Sequence, residues 1–234
     1  MKRILIAISL LSLLFAAPPA AADETTAGEV IERFVEAVGG RAAVETLRTR
    51  VALGRVIDDL SWQEPRRQFS PLGAWSTAGG GLLITTLGRT GVRREWTDGE
   101  ETWVREGDTV ERRDEIWRKF RWLYDPRGFI HVDDFFPGLR VRGIERREDR
   151  DVYALEPGGD LDPLHYTLYF DVASGLLSGI GHYWILGDWR DAGGVLFPHK
   201  IVCGRKGGST TFVYDQVYHN EILDEAMFAP PAGD

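Results

Sequence analysis

Residues 82–112 read LLITTLGRTGVRREWTDGEETWVREGDTVER, and this stretch decides the fold class. Four β-type runs, Leu82–Leu87, Val92–Trp96, Thr102–Arg105 and Thr109–Arg112, are separated by short turn signals. Asp98-Gly99 between Trp96 and Trp103 is a hairpin cue, because both residues tolerate the positive φ that tight hairpin turns require. Runs recurring every 8 to 12 residues or so predict an antiparallel meander rather than βαβ units.

Working outward, Gly79-Gly80-Gly81 separates this meander from an earlier strand, Val51–Ile57. Before that strand the periodicity is helical. Thr26 and Glu29 form a capping-box pattern, and Val30, Ile31, Phe34, Ala37 and Val38 make one apolar stripe. Gly39-Gly40 ends this helix, and a second, short one is predicted over Arg41–Leu47. Downstream, Ile116, Trp117, Phe120, Leu123 and Tyr124 fall on one helical face, so a helix is predicted over Asp114–Tyr124, stopped by Pro126. Asp125–Pro137 reads as a loop or irregular helix. Strands return at Arg140–Arg146, Val152–Glu156, His165–Phe170, Leu176–Trp184, Leu196–Cys203 and Thr211–Tyr218. The expected class is α+β, with a large antiparallel sheet, an N-terminal helix and an inserted helix.

The first residues are read separately. Lys2-Arg3, an apolar run from Ile4 to Ala17 and the small-residue site Ala20-Ala21-Ala22 have the three regions of a secretory signal peptide. The run of about 14 residues is too short to span a bilayer comfortably. The expected division is a signal peptide over 1–22 and one domain over 23–234, exported to the periplasm with no stable membrane span. Cleavage leaves 212 residues carrying 26 basic and 36 acidic side chains, a net −10 against −8 for the whole chain. That balance argues against nucleic acid as a partner. A single cysteine, Cys203, excludes an internal disulfide and a Cys-rich metal site, and reads as a buried small hydrophobe in a strand.

No catalytic signature is present: no G-x-S-x-G, H-E-x-x-H, P-loop or strand-linked G-x-G-x-x-G. Four of the five histidines, His165, His182, His199 and His219, fall on predicted strands. His199 with His182 and Asp188 or Asp191 is the one arrangement that a metal or a hydrolytic reaction would use, and its spacing is not diagnostic. Asp133-Asp134 beside His131 reads as a solvated loop or a helix cap. The expectation is a protein without catalysis, cofactor or metal.

Eight tryptophans are the main resource left. Trp96, Trp103, Trp117, Phe120, Trp122 and Trp184 are the candidate lining of an apolar ligand site, with Asp114–Tyr124 and Asp125–Pro137 as its lid. The alternative is that these rings fill a solid core, since large aromatics bury much area in either case.

Four stretches carry a family resemblance: Glu29–Gly40 continuing to Leu47-Arg48-Thr49; Leu168–Asp171 with Ser174–Leu177; Asp188–Asp191 with Phe197–Ile201; and Asn220-Glu221 to Met227–Pro231. In this order they resemble the LolA-like superfamily of periplasmic lipoprotein carriers, in its uncharacterised branch. The resemblance implies an incomplete β-barrel whose concave face is covered by helices. It implies binding of lipid or of lipoprotein acyl chains. An envelope interaction module with a solid core and a protein partner is the other reading carried forward.

Overall fold

The structure, a computed structural model, describes residues 25–59, 67–88, 91–112, 118–205 and 208–229. Residues 1–22, expected as a signal peptide, lie outside the described residues, as does Trp117. Two helices, α1 (Ala27–Ala37) and α2 (Arg41–Glu45), lead into a meander of β1 (Thr49–Asp59), β2 (Arg67–Thr77), β3 (Leu82–Gly88), β4 (Gly91–Thr97), β5 (Thr102–Glu106) and β6 (Thr109–Arg112). Helix α3 (Arg118–Tyr124), a 3-10 turn (Gly128–Ile130) and α4 (Val132–Phe135) follow. A second meander comprises β7 (Arg140–Arg147), β8 (Arg150–Glu156), helix α5 (Pro163–Tyr166), β9 (Leu168–Asp171), β10 (Leu177–Ile180), β11 (Trp184–Asp191), β12 (Leu196–Arg205) and β13 (Gly208–His219). A 3-10 turn, Glu225–Phe228, comes last.

All the strands form one antiparallel sheet in the order β6-β5-β4-β3-β2-β1-β13-β12-β11-β10-β9-β8-β7. The two meanders join where β13 returns to pair with β1. β6 and β7 remain as edges, so the barrel is incomplete and the expected α+β architecture holds. Because side chains alternate along a strand, each strand offers one face to the helices and one away from them. Ala52, Ala74 and Ile84 stand opposite one another across β1, β2 and β3 and face the helix-covered core.

Helix α1 starts as its sequence dictates. The Thr26 side chain accepts from Glu29 N–H, and the Glu29 carboxylate accepts from Thr26 N–H. Its stripe of Val30, Ile31, Phe34 and Val35 is buried on the sheet, with the Phe34 ring 5.3 Å from Phe170. Gly39 is needed where α1 ends: its φ is 126°, and a Cβ there would come within 2.3 Å of the Gly194 carbonyl oxygen.

Three sequence expectations are corrected. The sequence pattern does not show β2, because Pro71 interrupts it; Pro71 sits past the last β3 partner, where a missing N–H is tolerated. The run expected as a strand from His165 begins as α5, because Asp162 caps Leu164 N–H and Pro163 suits a first helical turn. The run Leu176–Trp184 holds only β10 and the first residue of β11, since Gly181 turns the chain at φ 56°, with His165 oxygen 2.5 Å from where its Cβ would lie, and the rest of β11, to Asp191, is a strand that the sequence pattern does not show. His165 and His182 therefore lie off the strands.

Candidate ligand site

Helices α3 and α4 and the turn between them lie over the concave face where the sequence placed a lid. Trp122 anchors this cover. It is fully buried, its indole N–H donates to the Gly128 carbonyl at 2.7 Å, and its ring meets Phe136 edge-on at 5.0 Å. A Cβ on Gly128 would sit 2.0 Å from the Trp122 oxygen, so only glycine lets the turn fold back onto the tryptophan.

The cover is tied to the sheet by Arg50 of β1. This arginine is 1% exposed. One guanidinium nitrogen, Nη1, donates to the carbonyls of Leu123 (2.9 Å), Tyr124 (3.3 Å) and Asp125 (3.3 Å), and Nη2 donates to Pro126 (3.2 Å). These carbonyls lie at and just beyond the C-terminal end of α3, where a helix presents partial negative charge. The guanidinium also lies over the Phe197 ring, 4.6 Å from its centroid. Its Nε donates to Nε2 of His219 at 3.0 Å, and Nδ1 of His219 faces the Ala192 carbonyl at 2.8 Å. Those partners require a neutral His219 carrying its proton on Nδ1. Burial, and then the charge of Arg50, pushes the His219 pKa down to about 4. Burial lowers Arg50 to about 10, partly offset by Asp125, so it stays charged at neutral pH. Ser76 adds a further tie by donating to the Tyr124 carbonyl, and Arg127 donates through Nε to Leu47 oxygen at 2.8 Å.

Beneath the cover, rings pack closely. Tyr124 and Phe197 each approach Tyr214 edge-on at 6.1 and 5.7 Å, and Phe129 and Trp189 both contact Phe34. The Tyr214 hydroxyl is buried there without a hydrogen-bond partner among the described residues.

The sequence-nominated residues divide between places. Trp122 and Trp184 belong to the core under the helices. Trp96 and Trp103 pair with each other and, through Leu83, with Trp75, which places them on the face opposite Ala74 and Ile84. They stack at 6.0 Å and are covered by the C-terminal segment, whose Ala229 carbonyl accepts from the Trp96 indole at 3.0 Å. In this structure they do not face α3. The Phe120 backbone lies in α3, and its side chain, like all of Trp117, is outside the described set. His199 is 5% exposed, with Nδ1 at 2.7 Å from the Tyr214 carbonyl, and its pKa is lowered, first by burial. Among the described residues no group of His, Cys, Asp and Glu is arranged to hold a metal, and no helix is long and apolar enough to cross a membrane.

Solved structures with this arrangement exist. One is a LolA superfamily protein from Nitrosomonas europaea, at TM-score 0.56 and 13% identity, covering 88% of this chain and 98% of that one. The fold is LolA-like. A DUF1329 family protein from Desulfovibrio piger aligns at TM-score 0.58 and 12% identity, over 86% of this chain and 96% of the other. A putative outer membrane lipoprotein-sorting protein domain from Vibrio parahaemolyticus aligns at 0.52 and 14%, over 85% and 97%. No family model matches the sequence, and no curated protein matches it. At these identities the likeness carries the LolA-like fold and no more. Arg50 was not singled out from the sequence. A lone arginine near the start of a strand reads as a solvated residue, and the helix end that captures it lies 73 residues away.

Proposed function

We propose that the chain is an exported periplasmic carrier for an apolar ligand, a lipid or the acyl chains of a lipoprotein, held between the sheet and the α3–α4 cover. The observation that carries this reading is the Arg50 tie. A helix meant only to complete a core is held more firmly by apolar packing than by a buried charge, because desolvating the charge offsets much of the attraction. A single guanidinium gripping four carbonyls is instead a latch, which releases all of its bonds together when the helix lifts. Lifting α3 withdraws Trp122 and opens the floor around Trp184, Phe197 and Tyr214 to acyl chains, whose transfer scales with the apolar area covered. In this reading Trp122 and Trp184 belong to the lining, and Trp96 and Trp103 serve the far face.

A second reading has its own observation. The rings under the cover already fill the space with close edge-to-face contacts, which suits a solid-core interaction module in the envelope with a protein partner. Native mass spectrometry of the protein isolated from the periplasm separates the two. The carrier reading expects retained lipid, and tryptophan quenching when a fatty-acid probe is added to delipidated protein. Neither retained lipid nor quenching would leave only the interaction module.

A further inference from the structure

The face away from the helices carries a second opening. β10 pairs with β11 only at Gly179↔Ile185 and Ile180↔Trp184. Beyond Ile185, β11 continues to Asp191 along β12, while the β9–β10 hairpin turns away at Ser174. The sheet is therefore split between Ser174–Ser178 and Leu186–Trp189. The split is bridged by the Trp189 indole donating to the Leu177 carbonyl at 3.2 Å. A cleft of about 670 Å³ occupies it. The tip of the β7–β8 hairpin walls one side with Arg147 and Arg150, and β12 walls the other with Lys200 and Val202.

The charges in this cleft are not equivalent. The Asp188 carboxylate is turned onto Arg190 at 2.8 and 2.6 Å. Asp171 accepts from Ser174 N–H and Oγ at 2.7 and 2.9 Å, closing its own turn, and meets Arg150 only at 4.0 Å. Glu148 is exposed at the hairpin tip. Against these, neither Arg147 nor Lys200 has an ion-pair partner among the described residues. Arg147 is held in place by stacking 3.7 Å over the Tyr169 ring, which leaves its N–H edge available. The floor between the cations is apolar: Ile185 is 43% exposed, and Val202 stands opposite it across the ladder. A stacked arginine and a second cation, Lys200, at the rim of an apolar floor match a molecule with an anionic head and an apolar body.

We infer that this split is a binding site for an anionic amphiphile with a phosphate or carboxylate head, separate from the space under α3. Arg147 and Lys200 take the head, and Ile185 and Val202 take the first carbons of the chain. The test uses octyl phosphate below its micelle concentration on the full mature chain, with calorimetry for affinity and hydrogen–deuterium exchange for location. Binding is expected to protect 174–189 and to leave 118–136 unchanged. The double variant Arg147→Gln/Lys200→Gln is expected to weaken it about tenfold, the loss of charge-assisted hydrogen bonds to the head. Ile185→Glu, which places a like charge on the floor of an intact fold, is expected to abolish it. Inorganic phosphate and octyl glucoside are the source controls, each expected to bind much more weakly. Equal binding of phosphate, or of the glucoside, would overturn the amphiphile assignment. Protection confined to 118–136, or affinity unchanged in both variants, would overturn the site.

Discussion

Arg50 Nε donates to His219 Nε2 at 3.0 Å, so a neutral histidine on β13 accepts from the buried cation that grips the end of α3. Protonating that nitrogen removes the acceptor and sets two cations against each other. The folded pKa of about 4 lies below the ordinary histidine value of about 6.5, so the folded state resists a proton that the unfolded chain accepts. Stability is therefore complete above about pH 6.5 and falls as pH drops toward 4, by up to about 3 kcal/mol for this group. His199, also lowered by burial, acts with the same sign. Urea midpoints measured from pH 7.5 to 4.5 should fall steadily in the native protein. They should fall less in His219→Gln, which keeps an acceptor and cannot titrate. An equal slope in both proteins would remove His219 from the account.

Replacing Arg50 tests the latch directly. Arg50→Lys keeps the charge but has no planar fork to reach four carbonyls, and Arg50→Leu removes the arginine donor from all four. Either change should cost about 3 kcal/mol or more, in the range for breaking a buried charged network. Hydrogen exchange should quicken selectively over 118–127, with β11–β13 unchanged. Uniform acceleration over the whole chain would mean that Arg50 supports the fold at large rather than the lid.

How far the sequence carried depends on the range of each interaction. The capping box at Thr26, the Gly39-Gly40 stop and the Asp98-Gly99 hairpin are local, and each forms where the residues require. The pairing of Trp96 with Trp103 follows from that hairpin, but the face on which they stand does not. Period-two alternation gives the two faces without saying which one the helices cover. Here Ala52 and Ala74 make room for the helices, so Trp75, Leu83 and Trp96 fall to the other side, where Phe228 and Ala229 reach them. Arg50 and the β10–β11 split were not legible at all, because each depends on elements far apart in the chain.

The Trp96–Ala229 contact predicts the behaviour of the C-terminal segment. Trp96→Phe keeps the ring stacked near Trp103 but removes the indole donor, at a cost of about 1 kcal/mol. The segment 220–229 should then be cut faster by a nonspecific protease, while the lid keeps its native exchange rates. A cleavage rate equal to the native one would show that packing of Phe228 over Gly81 holds the segment unaided.

Gly128 sets the geometry of the cover. It opens the 3-10 turn that follows Asp125, Pro126 and Arg127 after α3, and brings that turn back over Trp122, whose indole N–H it accepts through its carbonyl. A methyl group there would stand 2.0 Å from the Trp122 oxygen, a backbone atom that cannot swing away. Gly128→Ala should therefore push the turn off the tryptophan, break the 2.7 Å bond and cost about 2–4 kcal/mol, in the range of overpacked cores and lost buried hydrogen bonds. Displacing the turn also moves the Pro126 and Asp125 carbonyls from Arg50, so the variant should reproduce the fast exchange of Arg50→Leu over 118–127. Combining Gly128→Ala with Arg50→Leu should cost clearly less than the sum of the two, because both release the same element. Strict additivity in urea midpoints would separate the turn from the latch.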